Sequence, residues 1–171
     1  MAETSAAPLA PDEAVRSRRL RLSRLEPSPL EAMPWLADAL APDWRPADLQ
    51  RAAKAGRGVL ISGVAGEPIG VAVVLLDALV AGAASVPFIA IDPRRRFRGL
   101  GGEAALAIER DLRRKLAVDR VYAPVPDGRG LAVYFWLRLG YRPLTRGAAP
   151  WPLAGLASEP PPGIWLVRER E

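Results

Sequence analysis

The sequence predicts one α/β domain built on a mixed sheet. Short apolar runs rich in β-branched residues, bounded by Gly and Pro, recur along the chain. Leu100, Ala104, Ile108, Leu112 and Leu116 recur every four residues, the stripe of a long helix that packs on a sheet. Between these patterns lies Phe88-Ile89-Ala90-Ile91-Asp92-Pro93-Arg94-Arg95-Arg96-Phe97-Arg98-Gly99-Leu100-Gly101-Gly102. This stretch reads as a strand, a proline-marked turn, an arginine-rich loop and a helix start.

The elements follow in order. Met1 to about Ser17 is rich in Ala, Pro and Glu, lacks the apolar stretch of a signal peptide, and is expected to be a disordered leader. Arg19–Leu25 alternates with period two, the mark of a half-exposed strand. Pro29–Leu40 carries Leu30, Met33, Leu36, Ala37 and Leu40 at helical spacing, and Pro46–Ala55 opens with proline where a helix tolerates it. Strands are expected at Val59–Val64, Ile69–Leu76 and Ser85–Ile91, then the helix Leu100–Leu116. Val121–Val125 is a strand shortened by Pro124 and Pro126, and Arg129–Leu139 is a helix with Gly140 just past its end. Tyr141–Thr145 and Ile164–Arg168 are strands around a Pro/Ala/Trp loop at 147–162. No internal repeat or second domain is visible.

Composition removes several kinds of chemistry. The chain of 171 residues is half hydrophobic, enough for a packed core. It has no cysteine and no histidine, which removes disulfides, thiolate chemistry and the usual metal ligands and general base; no metal site is expected. The +5 net charge is almost all arginine and matches a GC-rich genome's composition better than nucleic-acid binding, because no basic stripe with interleaved aromatics accompanies it. The basic run Arg113-Arg114-Lys115 is expected to be a solvated helix end. Ile69–Ile91 is long and apolar enough to suggest a membrane span, but the turn-like stretch at 80–85 and Pro87 favour two buried strands. A cytoplasmic protein without membrane or nucleic-acid partners is expected.

The loop at 96–102 has the makings of an anion site. The first amides of a helix lack internal partners and carry the positive end of the dipole. Glycine allows close backbone approach, and Arg96 and Arg98 add fixed charge. No Lys-Ser or Lys-Thr follows Gly102, so a Walker loop is excluded, and the glycine spacing fits a dinucleotide fingerprint poorly.

The spacing Arg96-x-x-Gly99-x-Gly101, after Ile89-Ala90-Ile91-Asp92-Pro93, resembles the pyrophosphate loop of the GCN5-related N-acetyltransferases (GNAT family). A second match runs Arg129-x-x-Ala132-x-x-Phe135-Trp136-x-x-x-Gly140-Tyr141. The resemblance covers about Arg18 to Arg168 and implies a mainly antiparallel sheet splayed around a coenzyme A site. It implies acetyl-CoA as cofactor, with the pyrophosphate on the amides of Phe97, Arg98, Gly99, Leu100, Gly101 and Gly102. The pantetheine arm would lie beside Ile89, Ala90 and Ile91, with the Ile91 amide polarising the thioester carbonyl. It also implies cofactor contacts at Arg96, Arg129 and Trp136, and direct attack by a small-molecule or peptide amine.

Two positions depart from the family pattern: Arg129 replaces an asparagine, and Trp136 replaces the tyrosine that commonly protonates the leaving thiolate. Tyr134 is a substitute acid, although it lies about 200° round the helix from Trp136. Ser85 and Pro124 stand where a base is often found; Asp77, Asp92 and Asp127 are nearby carboxylates, Asp92 being a natural turn cap. Trp35, Trp44 and Trp151 are either core residues or walls of an acceptor pocket. The final strands and the Pro/Trp loop offer a dimer edge. A coenzyme A-binding module that has lost catalysis is the alternative function.

Overall fold

The computed structural model describes residues 9, 14–27, 30, 33–40, 44–76, 81–144 and 163–170. They form one eight-stranded sheet between two helical layers. In chain order the elements are β1 (Ala14–Arg16), β2 (Leu20–Arg24), α1 (Leu36–Leu40), α2 (Pro46–Lys54), β3 (Gly58–Gly63), β4 (Pro68–Leu76), β5 (Ala83–Ile91), α3 (Leu100–Leu116), β6 (Arg120–Pro126), α4 (Gly130–Arg138), β7 (Arg142–Pro143) and β8 (Gly163–Glu169). The sheet order is β1-β2-β3-β4-β5-β6-β8-β7. Every neighbouring pair is antiparallel except β5 and β6. That parallel pair needs a long crossover, and α3 supplies it.

The alternating side chains of the strands build two cores. On one face, Leu22, Ile61, Ala84, Val86, Val121 and Val125 meet Ala104, Ile108 and Leu112 of α3 and Trp136 of α4. On the other, Val71, Val73, Leu75, Phe88 and Ala90 meet Met33, Leu36, Leu49 and Ala53 of the α1–α2 layer. The long apolar run at 69–91 is therefore two strands buried on both faces, joined through a turn at Gly82 with φ 76°. No helix among the described residues is long and apolar enough to cross a membrane.

Several expectations change. Ala14–Arg16 is not leader but an edge strand paired with β2, and Leu9 is buried against the core; the apolar Leu9 and Val15 supply surface that the hairpin can bury. Ser17 is ordered as well, its hydroxyl bonded to Glu103; the remaining residues of the expected leader lie outside the described set, as does the loop at 147–162. The helix expected from Pro29 is confined to Leu36–Leu40 among the described residues, because Pro34 lacks the N–H that a continuing helix would need. The turn expected at 80–85 ends earlier, since Ala83–Ser85 already belongs to β5 and pairs with β6. Strand β7 covers only two residues and forms the edge of the sheet beside β8, whose other side pairs with β6.

Strand β6 is longer than expected and keeps both prolines in its ladder with β8, Pro124 opposite Trp165 and Pro126 opposite Gly163. The carbonyl of Trp165 accepts from the Leu144 amide, on the β7 side. Trp165 therefore turns its backbone groups away from β6, and Pro124 turns its own away from β8. With period two, Pro126 does the same. Both prolines omit a donor that β8 would not have received.

Candidate functional site

The sheet opens between β5 and β6. The two strands pair only from Ala83↔Arg120 to Ser85↔Tyr122, and beyond that β5 runs to Ile91 and β6 to Pro126 without pairing. A bulge marks the root of the opening: from Ser85 to Phe88, β5 takes three steps while β4 takes two, from Leu75 to Val73. Pro87 sits in that bulge, where the missing N–H is tolerated.

Backbone directions along the opening follow from one bond. The Asp92 amide donates to the Ile69 carbonyl at 2.9 Å, so Asp92 faces β4. Alternation then turns Ala90 and Phe88 toward β4, and Ile91 and Ile89 toward the open side. The Ile91 carbonyl confirms this, accepting from Arg96 Nε at 3.2 Å. The open edge of β5 thus presents the amides of Ile89 and Ile91, while Pro124 and Pro126 line the facing edge.

The loop is built as its sequence suggests. Asp92 caps the turn Pro93–Arg95, its Oδ1 accepting from the Arg94 amide at 2.9 Å. Phe97 and Gly99 both take left-handed conformations, φ 62° and 76°, and Gly99 is the residue before α3. Gly101 faces Ile91 and Phe135: a Cβ there would lie 3.4 Å from Phe135 Cε2 and 3.6 Å from Ile91 Cγ1. Strand end, loop and α4 therefore meet at Gly101. Arg94, Arg96 and Arg98 are exposed and form no ion pair among the described residues, whereas Arg95 pairs with Glu67 at 3.0 Å.

The first turn of α3 holds a carboxylate, Glu103, that would oppose an anion if left alone. It is neutralised instead: its carboxylate accepts from Ser17 Oγ, the Arg19 amide and Arg19 Nε, all at 2.7 Å. Burial acts to raise its pKa, but the bonds from Ser17 and Arg19 and the Arg19 charge outweigh this and hold it below the usual glutamate range. Arg19 Nη1 also donates to the Arg98 carbonyl at 2.9 Å, so the β1–β2 hairpin clamps the loop. Sequence reasoning missed this clamp, because 84 positions separate Arg19 from Glu103 and nothing local links them.

The residues on α4 are not placed as expected. Trp136 is 4% exposed, its ring 4.8 Å from Tyr141 and 5.0 Å from Phe135. It belongs to the core and offers almost no surface to a cofactor. Tyr134 is on the opposite side of the helix, 59% exposed, with the Arg138 guanidinium 5.8 Å from its ring centroid. The half turn between positions 134 and 136 separates core from solvent, and this placement gives Tyr134 no special claim to acid catalysis. Arg129 precedes α4 as its N-cap residue, beyond the end of β6.

Behind α4 lies a buried ionic cluster that sequence reasoning also missed. Glu109 of α3 accepts from Arg113 Nε at 2.9 Å, from the Tyr141 hydroxyl at 3.2 Å and from Arg168 Nη1 at 3.5 Å. Arg113 further donates to the carbonyls of Asp119 and Arg168. Arg113 is thus a half-buried tie between α3 and β8 and departs from the solvated reading of the basic run, whereas Arg114 and Lys115 are exposed as expected and pair with the buried Asp111.

On the α1–α2 face of the opening, Phe88 packs against Trp44 at 5.3 Å, and Trp35 and Trp165 lie against the same core. Trp35 and Trp44 are thus partly buried and pack against this core beside the opening, and Trp151 and Asp77 lie outside the described residues. Ser85, at the last pair before the split, is 1% exposed and its Oγ has no hydrogen-bond partner. Among the described residues no group of His, Cys, Asp or Glu is arranged to hold a metal.

An open α/β sheet with one parallel pair, splayed beside a glycine loop and helix, is the fold of the GNAT-family acetyltransferases. A GNAT-family acetyltransferase from Bacillus anthracis superposes with TM-score 0.67 at 12% identity, covering 92% of this chain and 98% of that one. An acetyltransferase from Agrobacterium tumefaciens gives 0.72 at 14% identity, covering 92% and 95%. The PaiA N-acetyltransferase of Thermoplasma acidophilum, solved in complex with coenzyme A, gives 0.63 at 11% identity, covering 88% and 99%. No family model and no curated protein matches the sequence.

Proposed function

We propose that this chain is an acetyl-CoA-dependent N-acetyltransferase of the GNAT family, acting on an amine. The single observation that carries the reading is the alignment of the open β5 edge with the loop at 96–102: outward amides lead directly to an anion site. Coenzyme A suits both parts, since it joins a diphosphate to an amide-bearing arm. The amides of residues 97–102, with Arg96 and Arg98, would hold the diphosphate. The Ile89 and Ile91 backbone groups would bond the arm as an added strand does. When bound, the cofactor supplies an acetyl group activated as a thioester, open to direct attack by the amine.

The length of the edge favours a different polarising amide from Ile91. From Ile91, beside Gly101, to Pro87 is four rises, about 13 Å at 3.3 Å each. The pantetheine arm has the length of about four peptide units. The thioester end then falls near the bulge, and Ile89, not Ile91, is the closer outward amide. A donor there stabilises developing negative charge on the carbonyl oxygen.

A second reading, a coenzyme A-binding module without catalysis, is favoured by the placement on α4: Trp136 is buried and Tyr134 points to solvent. Both readings require binding. Acetyl-CoA at about 100 times its dissociation constant should stabilise the protein by about 2.7 kcal/mol, a rise in melting temperature of roughly 5–11 °C for a domain of this size. Arg96→Ala should remove most of the shift. No shift of the unaltered protein at millimolar acetyl-CoA would sink both readings. Thiol release with any member of a broad amine panel separates the enzyme from the silent binder.

A further inference from the structure

Phe97 carries two costs that nothing among the described residues repays. Its φ of 62° puts a bulky L residue in the left-handed region, where glycine is the usual occupant. Its ring is 99% exposed and so touches almost nothing. The surroundings impose the backbone: Arg96 is tied back to the Ile91 carbonyl on one side, and the Arg98 carbonyl is held by Arg19 on the other. A glycine at 97 would satisfy the same loop without strain and without exposing an aromatic ring.

The place of the ring says what would cover it. On its inner side the loop meets Ile91 and Phe135 at Gly101, where the open β5 edge begins. A diphosphate on the loop amides has two ends. One leads inward along β5, and the other must leave outward, over the solvent face where Phe97 stands. In coenzyme A the outward end is an adenosine, whose adenine lies one sugar away from the phosphates and is flat on both faces. We propose that Phe97 is a specificity residue that stacks on the adenine of coenzyme A, an assignment that rests on the coenzyme A reading above. The ring selects an adenosine-bearing carrier over a phosphopantetheine arm presented without its nucleoside.

The test is calorimetry on the full chain with coenzyme A and with 4′-phosphopantetheine, which lacks the adenosine. Phe97→Gly should weaken coenzyme A about tenfold, the scale of one aromatic–base stack. It should leave 4′-phosphopantetheine unchanged and leave the melting temperature of the free protein no lower. Phe97→Tyr should keep coenzyme A within about twofold, since it retains the ring. Equal coenzyme A affinity in wild type and Phe97→Gly overturns the stacking while leaving the binding site intact. So does an equal loss for both ligands, or a Phe97→Tyr variant as weak as glycine. If 4′-phosphopantetheine binding is too weak to measure, the tyrosine variant decides. Failure of wild type to bind coenzyme A overturns the parent reading and this one together.

Discussion

Trp136→Ala should destabilise the protein by about 3–5 kcal/mol, the cost of deleting a large buried aromatic and leaving a cavity. For a domain of this size that is a fall in melting temperature of roughly 6–20 °C. The indole is 4% exposed and packs edge-on with Phe135 and tilted on Tyr141, so the loss is in packing. Trp136→Phe should cost less, because it retains a ring. Coenzyme A affinity of the Phe variant, measured by calorimetry below its melting range, should equal that of wild type. A marked change in affinity with little change in stability would return Trp136 to the cofactor site.

Glu109→Ala should cost about 3 kcal/mol, because breaking a buried ion pair leaves the remaining charges uncompensated. Here those charges are Arg113, with a 16% exposed side chain, and Arg168, at 34%. The second is wet enough to soften the penalty, so the lower end of the range applies. The same removal strands the Tyr141 hydroxyl. Chemical denaturation reads the difference directly, and a loss below about 1 kcal/mol would show that solvent already screens the cluster.

The cluster also sets an alkaline limit. Burial first, and then the Glu109 carboxylate, push the Tyr141 pKa above its ordinary value of 10.0. The folded state therefore keeps a proton that the unfolded state gives up. Tyr141's contribution is fully present below pH 10 and is lost as pH rises from there toward the folded pKa, by about 1.4 kcal/mol per pH unit. Tyr141→Phe should be less stable at neutral pH yet flatten that decline. An unchanged slope above pH 10 would assign it to other groups.

How far the sequence could be read depended on the range of the interactions. The segment from Phe88 to Gly102 was legible because each part acts over a few residues: Asp92 caps the next turn, Gly99 accepts a left-handed φ, and the helix stripe repeats every four residues. The helix Leu100–Leu116 was found with its observed bounds for that reason. The α1 region was not, since Pro34 interrupts its helical pattern and tertiary contacts decide the rest. Trp136 illustrates the limit best. Its position in a motif suggested a cofactor contact, but a motif says which residue stands where along a helix and not which neighbours fill the space around it. The same holds for Arg113, whose charge suggests solvent until the fold brings Glu109, Asp119 and Arg168 around it.

The sequence by itself determined the α/β class, the long helix and the glycine–arginine loop, because hydrophobic period, turn chemistry and helix-end electrostatics are local. Only the tertiary structure decided where the sheet opens, which amides face the opening, and that Arg19 neutralises Glu103 beside the candidate anion site. Those depend on strand register and on contacts between segments up to 86 residues apart. Register flips every backbone group from one side of a strand to the other with a shift of one residue. A single bond, Asp92 to Ile69, therefore says more about this site than the residues around it do.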